Sequence, residues 1–146
     1  MLSCGKDHQE KAAESLMGKW DIVETFYEAG NRTELGSHPD TSFTENNTGD
    51  FIEFKSESTV SFSYSVNGNA YEANEENWAL EARTRKNGFT NSQAYFLFIK
   101  GDSFEVQFGD GTSDSHENAS KAKILFSDNI ENVGPYKSYQ LTISKE

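Results

Sequence analysis

The sequence predicts an all-β fold, an antiparallel up-and-down β-barrel of about eight or nine strands preceded by a short N-terminal helical turn. Three observations predict it. From Gly18 onward apolar and polar residues alternate with period two, the pattern of strands with one buried and one wet face. Turn-forming clusters interrupt the alternation, and no segment carries a helical pattern long enough to cross between parallel strands. The aromatic residues are mostly Phe (11) and Tyr (6), types that pleated, half-buried surfaces favour.

Residues Asp7 to Met17 hold good helix formers but apolar side chains only at Ala12, Ala13, Leu16 and Met17, which predicts a tether ending in one or two helical turns. Trp20 to Tyr27 is the first strand. A polar stretch with Gly36, Pro39 and Asn46-Asn47-Thr48-Gly49 reads as a long loop before the strand Phe51 to Lys55. Thr59 to Val66 is the cleanest alternation, with Val60, Phe62, Tyr64 and Val66 on one face and serines on the other. Asn67-Gly68-Asn69 turns it back through Ala70 to Asn74, and Trp78 to Arg85 follows after an acidic bend. Lys86-Asn87-Gly88 is a second turn. Gln93 to Lys100 is apolar on both faces, as in a covered central strand. Gly101-Asp102 turns the chain into Ser103 to Phe108, and a Gly, Asp and Ser loop at Gly109 to Asn118 leads to strands Lys121 to Ser127 and Tyr139 to Ser144.

A chain of 146 residues fits one domain with its own core, expected over residues 16–146, with 1–15 as a flexible tether; removal of Met1 to Glu10 is expected to leave stability unchanged, because a polar tether buries little. A formal net charge of -11 repels phosphate, which excludes nucleic acid as a partner. Cys4 is the single cysteine, so no disulfide framework and no thiolate metal cluster is available. The longest apolar run, Ala94 to Ile99, falls far short of the roughly 18 to 20 residues that span a bilayer.

Met1-Leu2-Ser3-Cys4-Gly5 resembles the lipobox that closes a bacterial lipoprotein signal peptide, with its apolar leader upstream of a trimmed or late start at Met1. In that resemblance Cys4 becomes the first mature residue and carries the lipid, the only membrane attachment expected. The polar residues Lys6 to Glu10 look like the charged surface-export signal of Bacteroidetes lipoproteins. The resemblance implies an outer-membrane lipoprotein that is exposed at the cell surface.

Leu16-Met17-Gly18-Lys19-Trp20 resembles the Gly-x-Trp opening of the lipocalin and calycin families, in which a helical turn leads into the first strand. Gly18 and Trp20 are carried over as structural positions, the indole plugging the closed end of a barrel. With Trp78-Ala79-Leu80 and a terminal Tyr139-Gln140-Leu141-Thr142-Ile143, nearly the whole chain is similar to lipocalin-like lipoproteins of Bacteroidetes. Lipocalins pack a basic residue near the last strand on that Trp. Lys137 and Lys145 are the candidates here.

Catalytic and metal patterns are absent. His8, His38 and His116 stand at no ligand spacing, and Asp110 to Glu117 gathers oxygen donors without the order of a calcium loop. No Gly-x-Ser-x-Gly occurs. Glu72, Glu75, Glu76 and Glu81 near Trp78 leave an envelope lipid or glycan enzyme as a third reading. No enzymatic activity and no cofactor is expected.

The first reading is a monomeric, lipid-anchored envelope protein binding a small hydrophobic or amphipathic ligand in its barrel. The expected lining is Trp78, Leu80, Tyr95, Leu97, Phe104 and Phe108, with Arg83 as a buried base. Ala79, Glu81, Arg83 and Arg85 share one face and Trp78, Leu80 and Ala82 the other, and alternation leaves open which points inward. The second reading is a protein-interaction module with a solid core, working through acidic loops at Leu35 to Asp50 and Gly109 to Ala119.

Overall fold

A computed structural model of the chain describes residues 4–55, 58–88, 90–109, 120–128 and 133–146, with the backbone alone at 4–8, 85–87 and 90–93. One helix, α1 (Cys4–Leu16), precedes nine strands: β1 (Gly18–Thr33), β2 (Gly36–Asn46), β3 (Phe51–Phe54), β4 (Thr59–Val66), β5 (Asn69–Asn87), β6 (Thr90–Ile99), β7 (Asp102–Phe108), β8 (Lys121–Ser127) and β9 (Gly134–Lys145). The strands pair in the order β2-β1-β3-β4-β5-β6-β7-β8-β9, and β1 also pairs with β9. Eight strands therefore close an antiparallel barrel, and β2 lies against the edge of β1 as a ninth.

The long loop expected after Tyr27 is a hairpin. Strand β1 continues to Thr33, pairs with β9 along Trp20 to Arg32, and on its other edge meets β3 and then β2. Serine and threonine make a serviceable outer strand, and Pro39 is tolerated because β2 has a neighbour on one side only. At the register shift between Ala29 and Gly30 the strands cross closely; a Cβ on Gly30 would lie 2.2 Å from the carbonyl oxygen of His38.

The acidic bend between Asn74 and Trp78 is a bulge within the continuous strand β5. Its register against β4 jumps between Val60 and Phe62, and Glu75 takes a φ of 56°. The turn expected at Gly101-Asp102 falls one residue earlier. Ile99 pairs with Asp102 around Lys100 and Gly101, whose φ values of 49° and 87° are those of a primed hairpin turn.

Residues 7–17 exceed the expected one or two turns, because α1 has 13 residues and belongs to the core. Ala12 and Leu16, four apart on one face, are fully buried, so a domain boundary between residues 15 and 16 cuts through packed structure. A helix this short is marginal alone. It is held by β5, whose residues 78–87 run past the end of β4 and lack a strand neighbour on that side. The backbone N–H of Ala82 on that edge donates to Gln9 Oε1 at 3.1 Å.

The end of α1 is the barrel's plug. Trp20 is fully buried, and its Nε1–H donates to the Leu16 carbonyl at 2.8 Å. The Lys145 ammonium donates to the Ser15 carbonyl at 2.7 Å and stands 5.0 Å from the centroid of the Trp20 ring. Two last-turn carbonyls that a helix leaves without partners are thus met by side chains, one of them a cation at the negative end of the dipole. Of the two lysines the sequence offers, Lys145 takes this place; burial pushes its pKa down. Gly18 enters β1 beneath it with a φ of 115°, and a Cβ there would meet Lys145 Cε at 3.4 Å.

Candidate functional site

The two ends of the barrel differ. Strands β4 and β5 reach beyond β6 and β7 at the end opposite α1: β5 pairs with β6 only from Trp78, so residues 69–76 border a gap. In that gap lies a cavity of about 270 Å³.

Aromatic rings wall it. Tyr64 and Tyr71 stack with centroids 5.2 Å apart, Tyr71 meets Tyr139 at 5.5 Å, and Tyr139 meets Phe126 at 5.1 Å. Phe126 continues to Phe104 at 5.4 Å, and Phe62 flanks Tyr64 at 5.4 Å. Each ring is on an inward position, placed by the pairings Tyr64 with Tyr71, Phe62 with Ala73, Phe126 with Tyr139 and Leu97 with Phe104.

Tyr64 and Tyr139 share a hydrogen bond of 2.8 Å between their hydroxyls. Burial, above all, pushes both phenols well above the ordinary range, and negative charge from Asp102 adds to this. Tyr71, half-buried, is raised too, again by burial first, with Tyr27 and Asp102 contributing. All three rings are neutral at physiological pH.

The rim carries charge. Glu72, Glu76, Lys100 and Asp102 reach the cavity, and Lys100 pairs with Glu76 at 3.7 Å. Below the rings the barrel is filled: Ile52, Leu97, Ile124 and Leu141 leave a void of about 10 Å³, on the order of a single water.

Of the expected ligand lining, Phe104 walls this cavity and Leu97 lies in its floor. Trp78, Leu80, Tyr95 and Phe108 point inward but pack in the plugged half as core; Trp78 stands edge-on to Phe54 at 4.8 Å and Tyr95 to Phe108 at 5.3 Å. Arg83 is a correction. It is exposed on the outer wall, bonded to Glu81 at 2.8 Å and 4.6 Å from the Phe96 ring, because the face of Trp78 and Leu80 is the inward one. Glu81 leaves the acidic cluster with it, its pKa held down by the hydrogen bond from Arg83.

Cys4 opens α1, while its side chain, with residues 1–3, lies outside the described residues. The same holds for the oxygen-rich stretch Asp110 to Glu117, with His116, and for the loop 110–119. Of the other acidic loop, residues 36–46 are strand β2. Among the described residues no group of three or more His, Cys, Asp or Glu could hold a metal ion, and no helix is long and apolar enough to cross a membrane.

No family model matches the chain, and neither a curated protein nor a solved structure does.

Sequence reasoning passed over Tyr64, Tyr71, Phe126, Tyr139 and Asp102 as site residues. Their signal was the alternation itself, which put each ring on the same face of its strand as the neighbouring apolar residues. A second hollow, of about 430 Å³, lies between the β1–β2 bulge and β9 around Asp40, Thr41 and Lys137. Its Tyr136 hydroxyl already donates to Glu28 at 2.7 Å, and it is a broad surface depression without a wall of rings.

Proposed function

We propose that the protein is a binding domain, not an enzyme, that takes one small amphipathic molecule in the aromatic mouth of its barrel. The observation that carries this reading is the cavity of about 270 Å³ walled by six rings and rimmed by charged groups. Its volume lies just under the roughly 300 to 1,000 Å³ of ordinary small-molecule pockets. The filled floor argues against long-chain cargo threaded through the barrel.

Titration with a panel of small amphipathic fragments, followed by amide and ring NMR shifts, tests it. Shifts gathered on Tyr71, Ala73 and Phe104, and abolished by Ala73→Trp, are expected. Saturable shifts elsewhere, or none for any fragment, would sink the reading.

The proposal includes the place of action. The string Leu2-Ser3-Cys4 supports lipidation of Cys4 and a cell-envelope location. Mass spectrometry of the mature protein from its native host is expected to find acyl chains on Cys4, and Cys4→Ser to abolish detergent partitioning.

A second reading, interaction with another protein, is favoured by the β1–β2 arm. Leu35 at its tip is 91% exposed, and among the described residues the outer edge of β2 has no paired strand. Pro39 and the bulge at Gly30 interrupt that edge against strand addition, which keeps this reading second.

A further inference from the structure

Resting on the mouth as the binding site, we propose that its occupant is an organic cation, an amine or quaternary ammonium group held against the aromatic wall that includes Tyr71, with Asp102 as its counter-ion.

The rings supply the first reason. Tyr64, Tyr71 and Tyr139 are mutual neighbours at 5.2, 5.5 and 6.0 Å, inclined at 22°, 37° and 56°. Packed on one another in this way, the three rings make one continuous electron-rich wall beside the cavity, the kind of surface on which alkylated ammonium ions rest. The Tyr64 and Tyr139 hydroxyls are bonded to each other, which leaves a single hydroxyl proton between the two.

Charge is the second reason. Three acidic residues, Glu72, Glu76 and Asp102, border the cavity against one basic residue, Lys100; Glu72, opposite Ser63, is on the outer face of its strand, while Asp102 is on an inward position. Lys100 is taken by Glu76, and among the described residues Glu72 and Asp102 have no ion-pair partner. Asp102 lines the cavity: it pairs across the turn with the inward, buried Ile99, and its charge is felt by all three tyrosines. A carboxylate ligand would meet this charge and the chain's net -11 as repulsion, and a cation would be drawn in by both.

Three probes of one shape separate the possibilities: choline, the neutral alcohol in which a tert-butyl group replaces the trimethylammonium, and the carboxylate carrying the same tert-butyl group. Each is titrated into the full chain and followed by tyrosine ring shifts. Choline is expected to bind about fivefold or more tightly than the neutral isostere, and the carboxylate most weakly. Asp102→Asn, at an exposed turn, should weaken choline several-fold and leave the isostere unchanged. Tyr71→Leu should erase the preference.

Equal binding of choline and the neutral isostere overturns the cation proposal while leaving the mouth as a site for neutral molecules. Preference for the carboxylate overturns it as well. No shift at the mouth with any probe at the highest soluble concentration overturns the cation proposal and the small-ligand reading together.

Discussion

Residues 78–87 of β5 run past the end of β4, and residues 69–76 run past the start of its pairing with β6, so one strand carries two free half-edges. The first is covered. Helix α1 lies on it, Gln9 meets a free backbone N–H, and Ala12 and Leu16 complete a dry core around Trp20. The second borders rings, carboxylates and open space. A free edge is a liability that proteins cover or blunt. Here apolar residues spaced four apart close one end of the barrel, and charged residues among aromatics leave the other accessible. Tight packing is therefore concentrated at the plugged end, and the proposed binding site lies at the mouth.

The sharpest way to break this contrast is Trp20→Ala, which should cost about 3 to 5 kcal/mol by opening a cavity in the packed end. Urea denaturation measures it, and a wild-type midpoint would show that the plug contributes little. Lys145→Met keeps the aliphatic stem but removes the cation above the indole and the bond to Ser15, for an expected loss of about 1 to 2 kcal/mol. Lys137→Met, by contrast, should leave the midpoint in place.

Tyr64→Phe, at the boundary between the two halves, should cost about 0.5 to 1.5 kcal/mol at neutral pH through the lost bond to Tyr139. It also has a pH signature. Both phenols are raised in the folded state, so their neutral forms stabilise the fold fully below the unfolded value of 10.0, and that stability is lost as pH rises above it. The stability of the wild-type protein should thus fall steeply in alkali, and that of Tyr64→Phe less steeply, in denaturation series on either side of that pH.

The smallest stability effect belongs to the mouth: half-buried Tyr71→Leu should cost less than about 1 kcal/mol. A cost as large as that of Trp20→Ala would erase the distinction between a structural end and a functional one.

Much of the barrel was legible beforehand. Alternation of period two gathered Val60, Phe62, Tyr64 and Val66 on one face of their strand and Phe104, Val106 and Phe108 on one face of theirs, and Asn67-Gly68 announced its hairpin, because face and turn are set by residues adjacent in the chain. Three features were not legible: the length of α1, the strand β2 and the continuity of β5 through its bulge. Each depends on a partner distant in sequence that supplies what local propensity lacks: the free edge of β5 for the helix, the extension of β1 for β2, and the register against β4 for the bulge.

The sequence by itself thus determined an antiparallel barrel with an apolar, aromatic interior and a Trp at the start of its first strand. Only the tertiary structure decided that Lys145 rather than Lys137 covers Trp20, that Arg83 faces outward, and that Tyr64, Tyr71, Tyr139 and Asp102 meet around one cavity. Alternation reports which face a residue takes; its depth along the barrel axis follows from the stagger between strands, which is set only when the sheet closes.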